Sequence, residues 1–329
     1  MIQILKDAVN PINWIKIFKN PSKFIKIFND RINYYPGLKF GYTKSKIIKK
    51  LYMSFNIFFA KKNKKFKEFF FDTGNDEKKI AANFSLNKDY HINEIQFQYL
   101  KQNGILVLEN ALPEHEQNKI AEEFDKFKSN INNDDLNEYR DKNLTVFKNE
   151  NIDKYMYTVN SVLNSESKLK KINDQITKKI YGITVNPSLS YGFHKLIDLP
   201  ESVINGDNNW HADRYLPNLK ILYFPYGVEE GGAPYRYSLG SHKINKESLN
   251  FFLNKKMGDG TIEGNEEKAK FLKNTHEFIV PPNTLVATLN NGFHGRTPFK
   301  KKSERCALYL MYKEFRLWSL ISYWNCNHN

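Results

Sequence analysis

The sequence predicts a mainly β domain with flanking helices, preceded by an N-terminal helical extension. Two observations predict strands. Residues 278–289 form two apolar runs around a Pro-Pro-Asn turn, the pattern of a strand, a turn and a strand. Residues 306–312 alternate in size and apolarity, as a further strand would. A third observation predicts helices: Asn10 and Asn20 each precede a proline, which is typical of an N-capped helix with Pro in its first turn.

The predicted extension, residues 1–75, carries nearly all of the net charge. Residues 1–70 contain sixteen Lys or Arg against three Asp or Glu, a net charge of +13 out of +14 for the whole chain. Residues 11–20 and 21–30 both read Pro-x-x-aromatic-Ile-Lys-Ile-Phe. Helices this short are marginal alone in water, so we expect them to dock on a surface. The second predicted unit, residues 76–329, is close to electrically neutral.

Three surfaces could receive this extension. Its aromatic residues, isoleucines and lysines suit the interface of an anionic membrane, and the basic, aromatic run at 61–71 adds to this pattern. The aromatic residues could instead pack on the second unit, or the segment could bind nucleic acid or a protein. Lysine outnumbers arginine 43 to 7, as expected from an AT-rich genome, which weakens any argument from basic charge. We do not expect nucleic acid as a partner.

Composition sets further limits. A chain of 329 residues can bury a full core and hold one catalytic domain plus an appendage. The two cysteines, Cys306 and Cys326, do not make a disulfide framework. The sequence has no run of eighteen apolar residues, and its first residues lack the pattern of a secretory signal. We therefore expect a cytoplasmic protein, peripheral at the inner face of the membrane if the extension binds lipid.

Four residues suggest a metal site. His211 and Asp213 are two residues apart, His294 follows far downstream, and Arg305 comes eleven residues later. If the first two lie on a strand, their side chains point to the same face and can bind one cation. Two imidazoles and one carboxylate on one face of an octahedron leave three positions open, which suits Fe(II). The same donors could hold Zn(II), Mn(II) or Ni(II).

The order of the motifs resembles the phytanoyl-CoA dioxygenase family of Fe(II)/2-oxoglutarate-dependent oxygenases. The matching elements are His211-Ala212-Asp213, Gly231-Gly232, Gly240-Ser241-His242, His294 and Arg305. Upstream, residues 95–108 are similar to the first helix and strand of the family, and residues 111–113 resemble the turn before a helix that begins near Glu114. The resemblance covers residues 92–316.

The resemblance implies a double-stranded β-helix, or jelly roll, with helices packed on one sheet. It implies that His211, Asp213 and His294 are iron ligands. Arg305 would pair with the distal carboxylate of 2-oxoglutarate, where a planar guanidinium can bind bidentately. Tyr223 would lie beside this cosubstrate. We expect His242 to be structural rather than a fourth ligand.

The activity implied is that of a non-haem dioxygenase that uses Fe(II), 2-oxoglutarate and O2. It would hydroxylate or oxidatively demethylate a C–H bond of a small molecule and release succinate and CO2. Related halogenases have a small residue where this chain has Asp213, so the carboxylate argues against halogenation. The alternative is a non-catalytic jelly-roll binding or scaffold protein at a membrane surface.

The arginines suggest how a substrate could be bound. Five of the seven lie in the last 116 residues, among the motifs. In a lysine-rich chain, a retained arginine favours planar, bidentate contacts. We hypothesise that Arg214, Arg236 or Arg296 holds an anionic group of the substrate; the alternative is a salt bridge to residues such as Glu229 or Glu304. A lipid-linked or glycan-linked substrate would suit a membrane-bound extension.

Two further segments lie near the predicted barrel. Residues 243–274 form a Lys-, Glu- and Gly-rich insertion, for which we expect a helix and a mobile loop over the mouth of the site. The aromatic tail at 315–324 could be a lid, a dimer contact or part of the core.

Overall fold

The fold was analysed in a computed structural model. It describes residues 80–133, 144–148, 152–159, 166–196, 209–213, 218–255, 260–300 and 304–312, with short pieces between 50 and 71 and the single positions 136, 139 and 215. Arg214, the repeat at 11–30 and the tail at 315–324 lie outside the described residues. The expectations for them stay predictions.

The described residues contain eleven strands in two sheets. The large sheet has the order β1-β2-β9-β6-β11-β5-β4-β3 and the small sheet the order β10-β7-β8. Neighbouring strands are antiparallel except β1 and β2. The strands are β1 Asn83–Ser85, β2 Ile105–Glu109, β3 Leu144–Phe147, β4 Ile152–Val159, β5 Ser188–Leu196, β6 Leu219–Phe224, β7 Tyr235–Ser238, β8 Thr275–Phe278, β9 Thr284–Leu289, β10 His294–Arg296 and β11 Glu304–Met311.

The chain path is that of a double-stranded β-helix. From β5 the chain passes to His211, which is bridged to β10 of the small sheet, and returns to the large sheet as β6. It then forms β7 and β8 in the small sheet, β9 in the large, β10 in the small and β11 in the large. Such crossing between two facing sheets defines a jelly roll. The predicted fold class is confirmed.

Helices flank the large sheet. They are α1 Lys64–Phe66, which continues as a π-helical turn Lys67–Phe71, then α2 Glu94–Asn103, α3 Glu114–Asn132, α4 Lys168–Tyr181, α5 Lys246–Asn254 and α6 Gly264–Phe271. Side chains cap three of them: Asn93 and Asn245 form capping boxes at α2 and α5, and Ser167 caps α4. The insertion at 243–274 therefore supplies two helices. None of the helices among the described residues has the length and apolarity to cross a membrane.

Successive side chains of each strand point to opposite faces of the large sheet, and both faces are apolar. One face packs against the helices. The other faces the small sheet, and the space between the two sheets is called here the barrel interior. Its buried apolar residues come from both sheets: Ile105, Val107, Leu222, Phe224, Tyr235, Tyr237, Phe278, Val286 and Ala307.

Part of the basic extension packs on the domain. Phe69 and Phe70 are 2% and 0% exposed and belong to the core on the helix side. Their backbone carbonyls accept hydrogen bonds from the Lys243 side chain at 2.8 Å and the Ile244 amide at 2.7 Å. The expectation that the run at 61–71 adds to a membrane surface is therefore wrong for these two aromatic residues.

A glycine pair tests how tightly the turn after α2 is packed. Gly104 and Gly264 both have positive φ, 81° and 72°. A Cβ at Gly104 would lie 2.4 Å from His242 Nδ1 and 2.6 Å from the Tyr237 hydroxyl, whereas one at Gly264 meets nothing within 4 Å. We expect Gly264→Ala to cost about 1–2 kcal/mol for the left-handed backbone. Gly104→Ala should cost about 1–3 kcal/mol more, because it also overpacks the core.

The measurement is the free energy of unfolding from urea titrations of the two variants and the parent. Equal losses would contradict the described packing around Gly104.

Candidate functional site

Three side chains predicted to bind a metal converge at one end of the barrel interior. His211, Asp213 and His294 each offer a ligand atom, and these atoms lie within 4.8 Å of one another. Asp213 Oδ1 is 3.6 Å from His211 Nε2 and 3.5 Å from His294 Nε2. Ligands about 2.1 Å from one cation and at right angles to each other are about 3 Å apart. The two distances from Asp213 Oδ1 are thus within about 0.6 Å of the separation expected around one metal ion.

Backbone pairing brings these residues together. His211 and His294 exchange two backbone hydrogen bonds, both 2.8 Å long, and the Asp213 amide donates to the Asn290 carbonyl at 2.9 Å. On its other side, His211 is bridged to Thr261, which lies within the insertion at 243–274, between α5 and α6. The expected strand around 209–213 is therefore reduced to isolated bridges. Even so, these bridges bring both side chains to the same cluster.

The imidazoles are oriented by backbone carbonyls. Nδ1 of His211 lies 2.9 Å from the Asn209 carbonyl, and Nδ1 of His294 lies 2.9 Å from the Gly292 carbonyl. Each Nδ1–H can donate to its carbonyl oxygen, which leaves the lone pair of Nε2 directed at the cluster. Such bonds fix the tautomer and the ring angle of a metal-binding histidine.

The second oxygen of the carboxylate has its own partners. Asp213 Oδ2 accepts hydrogen bonds from the Lys220 ammonium at 3.0 Å and from the Asn290 amide at 2.8 Å. The same amide nitrogen lies 3.1 Å from His294 Nε2. Asn290 is fully buried, and its Oδ1 lies 3.4 Å from the Tyr235 hydroxyl. Asn290 and Lys220 therefore hold Oδ2 and leave Oδ1 for a cation.

The electrostatics favour the ligand forms of Asp213 and His294, whereas they favour the charged form of His211. Burial raises the pKa of Asp213, but Lys220 and the two imidazoles more than offset this effect and hold the pKa well below its usual range. Burial, and then the charge on His211, lowers the pKa of His294. Burial also opposes the charged form of His211, yet the bond to Asp213 prevails and raises its pKa. Near neutral pH the cluster thus contains a carboxylate and, at His294, a neutral imidazole.

Arg305 lies inside the barrel, as expected for a group that meets a cosubstrate. It is 3% exposed, and its Nη1 donates to the Tyr309 hydroxyl at 3.1 Å. Its guanidinium carbon lies 5.2 Å from the centre of the Phe224 ring. The buried Nε has no hydrogen-bond partner among the described residues. Tyr235 lies next to the metal cluster, because its ring stacks on His294 at 5.7 Å. Burial raises the pKa of Tyr235 well above its usual value, and the nearby charge of Asp213 raises it further while that of Arg305 lowers it.

The structure contradicts the expected position of Tyr223 beside the cosubstrate. On β6, Leu222 and Phe224 face the barrel interior, so the residue between them faces the helices. The Tyr223 hydroxyl donates to Asn283 Oδ1 at 3.1 Å, on that outer side. The side chains of its two neighbours on β6, Leu222 and Phe224, face the interior in which a cosubstrate would lie.

The candidate substrate arginines fall on different faces of the small sheet. Arg236 lies between Tyr235 and Tyr237, both of which face the interior, so its own side chain is on the outer face; there it stacks on Trp210 at 4.5 Å. The hypothesis of a substrate contact is therefore wrong for Arg236. Arg296 is two residues after His294 on β10, shares its inward face, and is 5% exposed. For Arg296 the hypothesis stays a prediction.

His242 is separate from the metal cluster. Its Nε2 lies 3.1 Å from the Lys101 carbonyl, and it is fully buried at the turn beside Gly104. This position agrees with the structural role expected for it. Among the described residues, the three members of the cluster are those that could hold a metal together.

Sequence reasoning missed several polar residues of the site. Asn290 and Lys220 contact Asp213, and His194 lies directly opposite Arg305 on β5. The sequence offers one indication that Asn290 belongs to the site, because it lies four residues before His294 at the end of a strand. Nothing in the sequence distinguishes Lys220 from the other lysines, of which the chain has 43 in all.

Comparisons with known proteins give matches among solved structures alone. No protein-family model matches the chain, and no curated protein is significantly similar to it. The epimerase SnoN, solved with Fe³⁺, alpha-ketoglutarate and nogalamycin RO, is 9% identical, with a TM-score of 0.46, over 67% of this chain and 83% of its own. AviO1 from Streptomyces viridochromogenes is 14% identical, with a TM-score of 0.45, over 67% of this chain and 94% of its own.

A third similar structure is HygX from Streptomyces hygroscopicus, solved with nickel and 2-oxoglutarate. It is 12% identical, with a TM-score of 0.39, over 68% of this chain and 88% of its own. Identities and TM-scores at this level are too low to decide ancestry or activity. The function is therefore inferred from the residues of the site itself.

Neighbouring asparagines offer a matched test of the metal site. Asn290 contacts Asp213 and His294, whereas Asn291 donates to the His242 carbonyl and does not contact the cluster. We expect Asn290→Ala to lower the affinity for Ni(II) about 10–100-fold, the usual effect of removing a group that orients metal ligands. Asn291→Ala should lower stability and leave the affinity unchanged. Calorimetric titration with Ni(II) measures both variants, and equal affinities would refute the role given to Asn290.

Proposed function

We propose that this protein is a non-haem Fe(II)- and 2-oxoglutarate-dependent oxygenase that acts on a small molecule. The single observation that carries the proposal is the convergence of His211, Asp213 and His294 on one point inside a double-stranded β-helix. Two imidazoles and one carboxylate with further positions open are the donor set of non-haem Fe(II) oxygenases. We propose hydroxylation or oxidative demethylation as the outcome.

The residues present fit the iron ion. The donors are imidazole nitrogens and one carboxylate oxygen, with no described cysteine in the cluster, which disfavours a structural zinc site. The Nε2 atoms of His211 and His294 are available because their Nδ1 atoms face backbone carbonyls. Asp213 is anionic and would supply a single oxygen, Oδ1, since Lys220 and Asn290 occupy the other.

The residues present also fit a keto acid with a second carboxylate. Arg305 is buried in the interior with an Nε that has no partner among the described residues. A buried, unsatisfied donor on a charged group costs free energy, and a carboxylate would satisfy it. The ring of Phe224 and the hydroxyl of Tyr309 hold the guanidinium in place, so little side-chain freedom is lost on binding.

The chain contributes position and charge. When bound, iron and the keto acid supply the oxidising power for attack on a C–H bond, with succinate and CO2 as the products of the keto acid. Tyr235 and Tyr237 stack on His294 at 5.7 and 6.5 Å and cover it with aromatic surface. His294 and Arg305 are each 3% exposed, so little water reaches these two side chains, which strengthens the electrostatic interactions that they make.

Formation of succinate tests the proposal. We expect the purified chain to convert 2-oxoglutarate into succinate only when both Fe(II) and O2 are present, slowly even without its substrate. His294→Ala should reduce the rate to the level of free iron, because it removes one of three ligands. Mass spectrometry with ¹⁸O2 measures the product, since one labelled oxygen atom should enter succinate. Absence of both succinate and iron binding would favour the scaffold alternative.

The role of Arg305 has its own test. Arg305→Lys retains the charge but removes the planar fork, so we expect the KM for 2-oxoglutarate to rise about tenfold or more, with a smaller change in kcat. Arg236→Lys is the matched control, because Arg236 lies on the outer face of the small sheet. Steady-state kinetics of succinate formation measures both. The same KM for the Arg305 variant and the parent would contradict the assignment.

A further inference from the structure

Arg305 belongs to a row of basic side chains across the large sheet. In the register of β4, β5 and β11, Lys154 lies directly opposite His194, and His194 lies directly opposite Arg305. Residues paired in this way point to the same face, with Cβ atoms about 5 Å apart. That face is the inward one, because Ala307 and Tyr309 share it with Arg305 and belong to the barrel interior.

The row extends beyond the part of the sheet that the small sheet covers. The apolar cluster of the barrel interior contains described residues of β2, β6 and β9 and of β11, but none of β3, β4 or β5. Lys154 is half-buried at this less covered side, with its ammonium 5.9 Å from the centre of the Phe147 ring. Phe147 is 57% exposed. The row thus leads from the buried Arg305 to a partly exposed region near the β3 edge of the large sheet.

Acidic residues are sorted to the other face of the same strands. Asp153 on β4 and Glu304 on β11 alternate with the row and face outward, where they lie opposite Lys195 of β5. Glu304 also forms an ion pair with Lys128 at 2.5 Å. The described inward positions of β4, β5 and β11 include no acidic residue. The two cations of the row, Lys154 and Arg305, are therefore separated by His194 and have no acidic partner among these inward positions.

Arg305 and Lys154 both lower the pKa of two groups at this row, His194 and Tyr309. Burial, and then Arg305, Arg296 and Lys154, hold the pKa of His194 well below its usual range, so its ring is neutral. Burial alone would raise the pKa of Tyr309, but Arg305 and Lys154 more than offset it and lower the value.

Two members of the row have buried nitrogen atoms without a hydrogen-bond partner among the described residues. His194 is 1% exposed, and its Nδ1 has no partner among the described residues. The Nε of Arg305 is also buried and has no hydrogen-bond partner among the described residues. Buried polar atoms in folded proteins are nearly always hydrogen-bonded. The two unpartnered nitrogens therefore indicate that a ligand supplies the missing hydrogen bonds.

We propose that Lys154 and His194 form a second anion-binding position beside Arg305, and that the substrate therefore carries a carboxylate or phosphate group. The part that concerns the substrate rests on the proposed function. The keto acid would take the guanidinium of Arg305, and the anionic group of the substrate would lie farther along the row. Lys154 attracts it as a point charge, while the neutral imidazole of His194 donates a hydrogen bond.

Anion binding to the full chain tests this proposal. The chain is loaded with Ni(II) and saturating 2-oxoglutarate, and inorganic phosphate and acetate are titrated in separate calorimetric experiments. We expect at least one of them to bind while 2-oxoglutarate remains bound. Lys154→Gln should weaken this binding about tenfold, as expected for a lost charged hydrogen bond, and Lys154→Arg should restore it. The anion that binds more tightly identifies the group on the substrate.

Lys195→Gln is the matched control. Lys195 is next to His194 on β5 but faces outward, where its ammonium donates to Asn132 Oδ1 at 3.2 Å. It should leave anion binding unchanged. The proposal is overturned if neither anion binds, if both merely compete with 2-oxoglutarate, or if Lys154→Gln and Lys195→Gln have the same effect. Anion binding that depends on Lys154, in a chain that does not bind 2-oxoglutarate, would instead refute the proposed function and leave the anion position standing.

Discussion

The two backbone hydrogen bonds between His211 and His294 hold the site together. They join segments that are far apart in the sequence, and they close the small sheet around the end of the barrel. Both imidazoles then lie on one side of the pair, 4.5 Å apart between ring centres. Asp213 can join them only because its amide is fixed to the Asn290 carbonyl in the adjacent turn. Without this pairing, the segment that carries His211 and Asp213 would be independent of the one that carries His294.

The alternation of side chains along each strand determines which of them face the helices and which face the barrel interior. The helix side of the large sheet is apolar and supports the fold, while the inward face alternates apolar residues with Lys220, His194 and Arg305. An enclosed space that combines aromatic walls with buried positive charge binds anions strongly, because water competes poorly there. This character suits anionic ligands.

Much of the fold and the centre of the site could be predicted from the sequence. The motifs gave the three candidate ligands and Arg305, and the family resemblance that these motifs carry implied the double-stranded β-helix. The predicted position of Tyr223 beside the cosubstrate is wrong for a simple reason. Side chains alternate faces at every residue of a strand, so an error of one position in β6 exchanges the interior face for the helix side. Arg236 failed in the same way on β7. Asn290, Lys220 and His194 could not be predicted, because they reach the site through pairings between distant strands that no local pattern records.

The N-terminal segment shows a different limit. Its basic and aromatic composition suited a lipid surface, yet Phe69 and Phe70 complete the core beside the turn at Lys243 and Ile244. Composition describes which environments a segment tolerates, whereas packing depends on a partner surface elsewhere in the chain.

The most direct test of the account is the position of iron in a crystal of the full chain prepared with Fe(II) under anaerobic conditions. Anomalous scattering at the iron edge locates the ion independently of any assumption about the protein. The account predicts a single strong peak between Nε2 of His211, Nε2 of His294 and Oδ1 of Asp213. A fully soaked crystal with no peak there, or with iron bound by other residues, would contradict it.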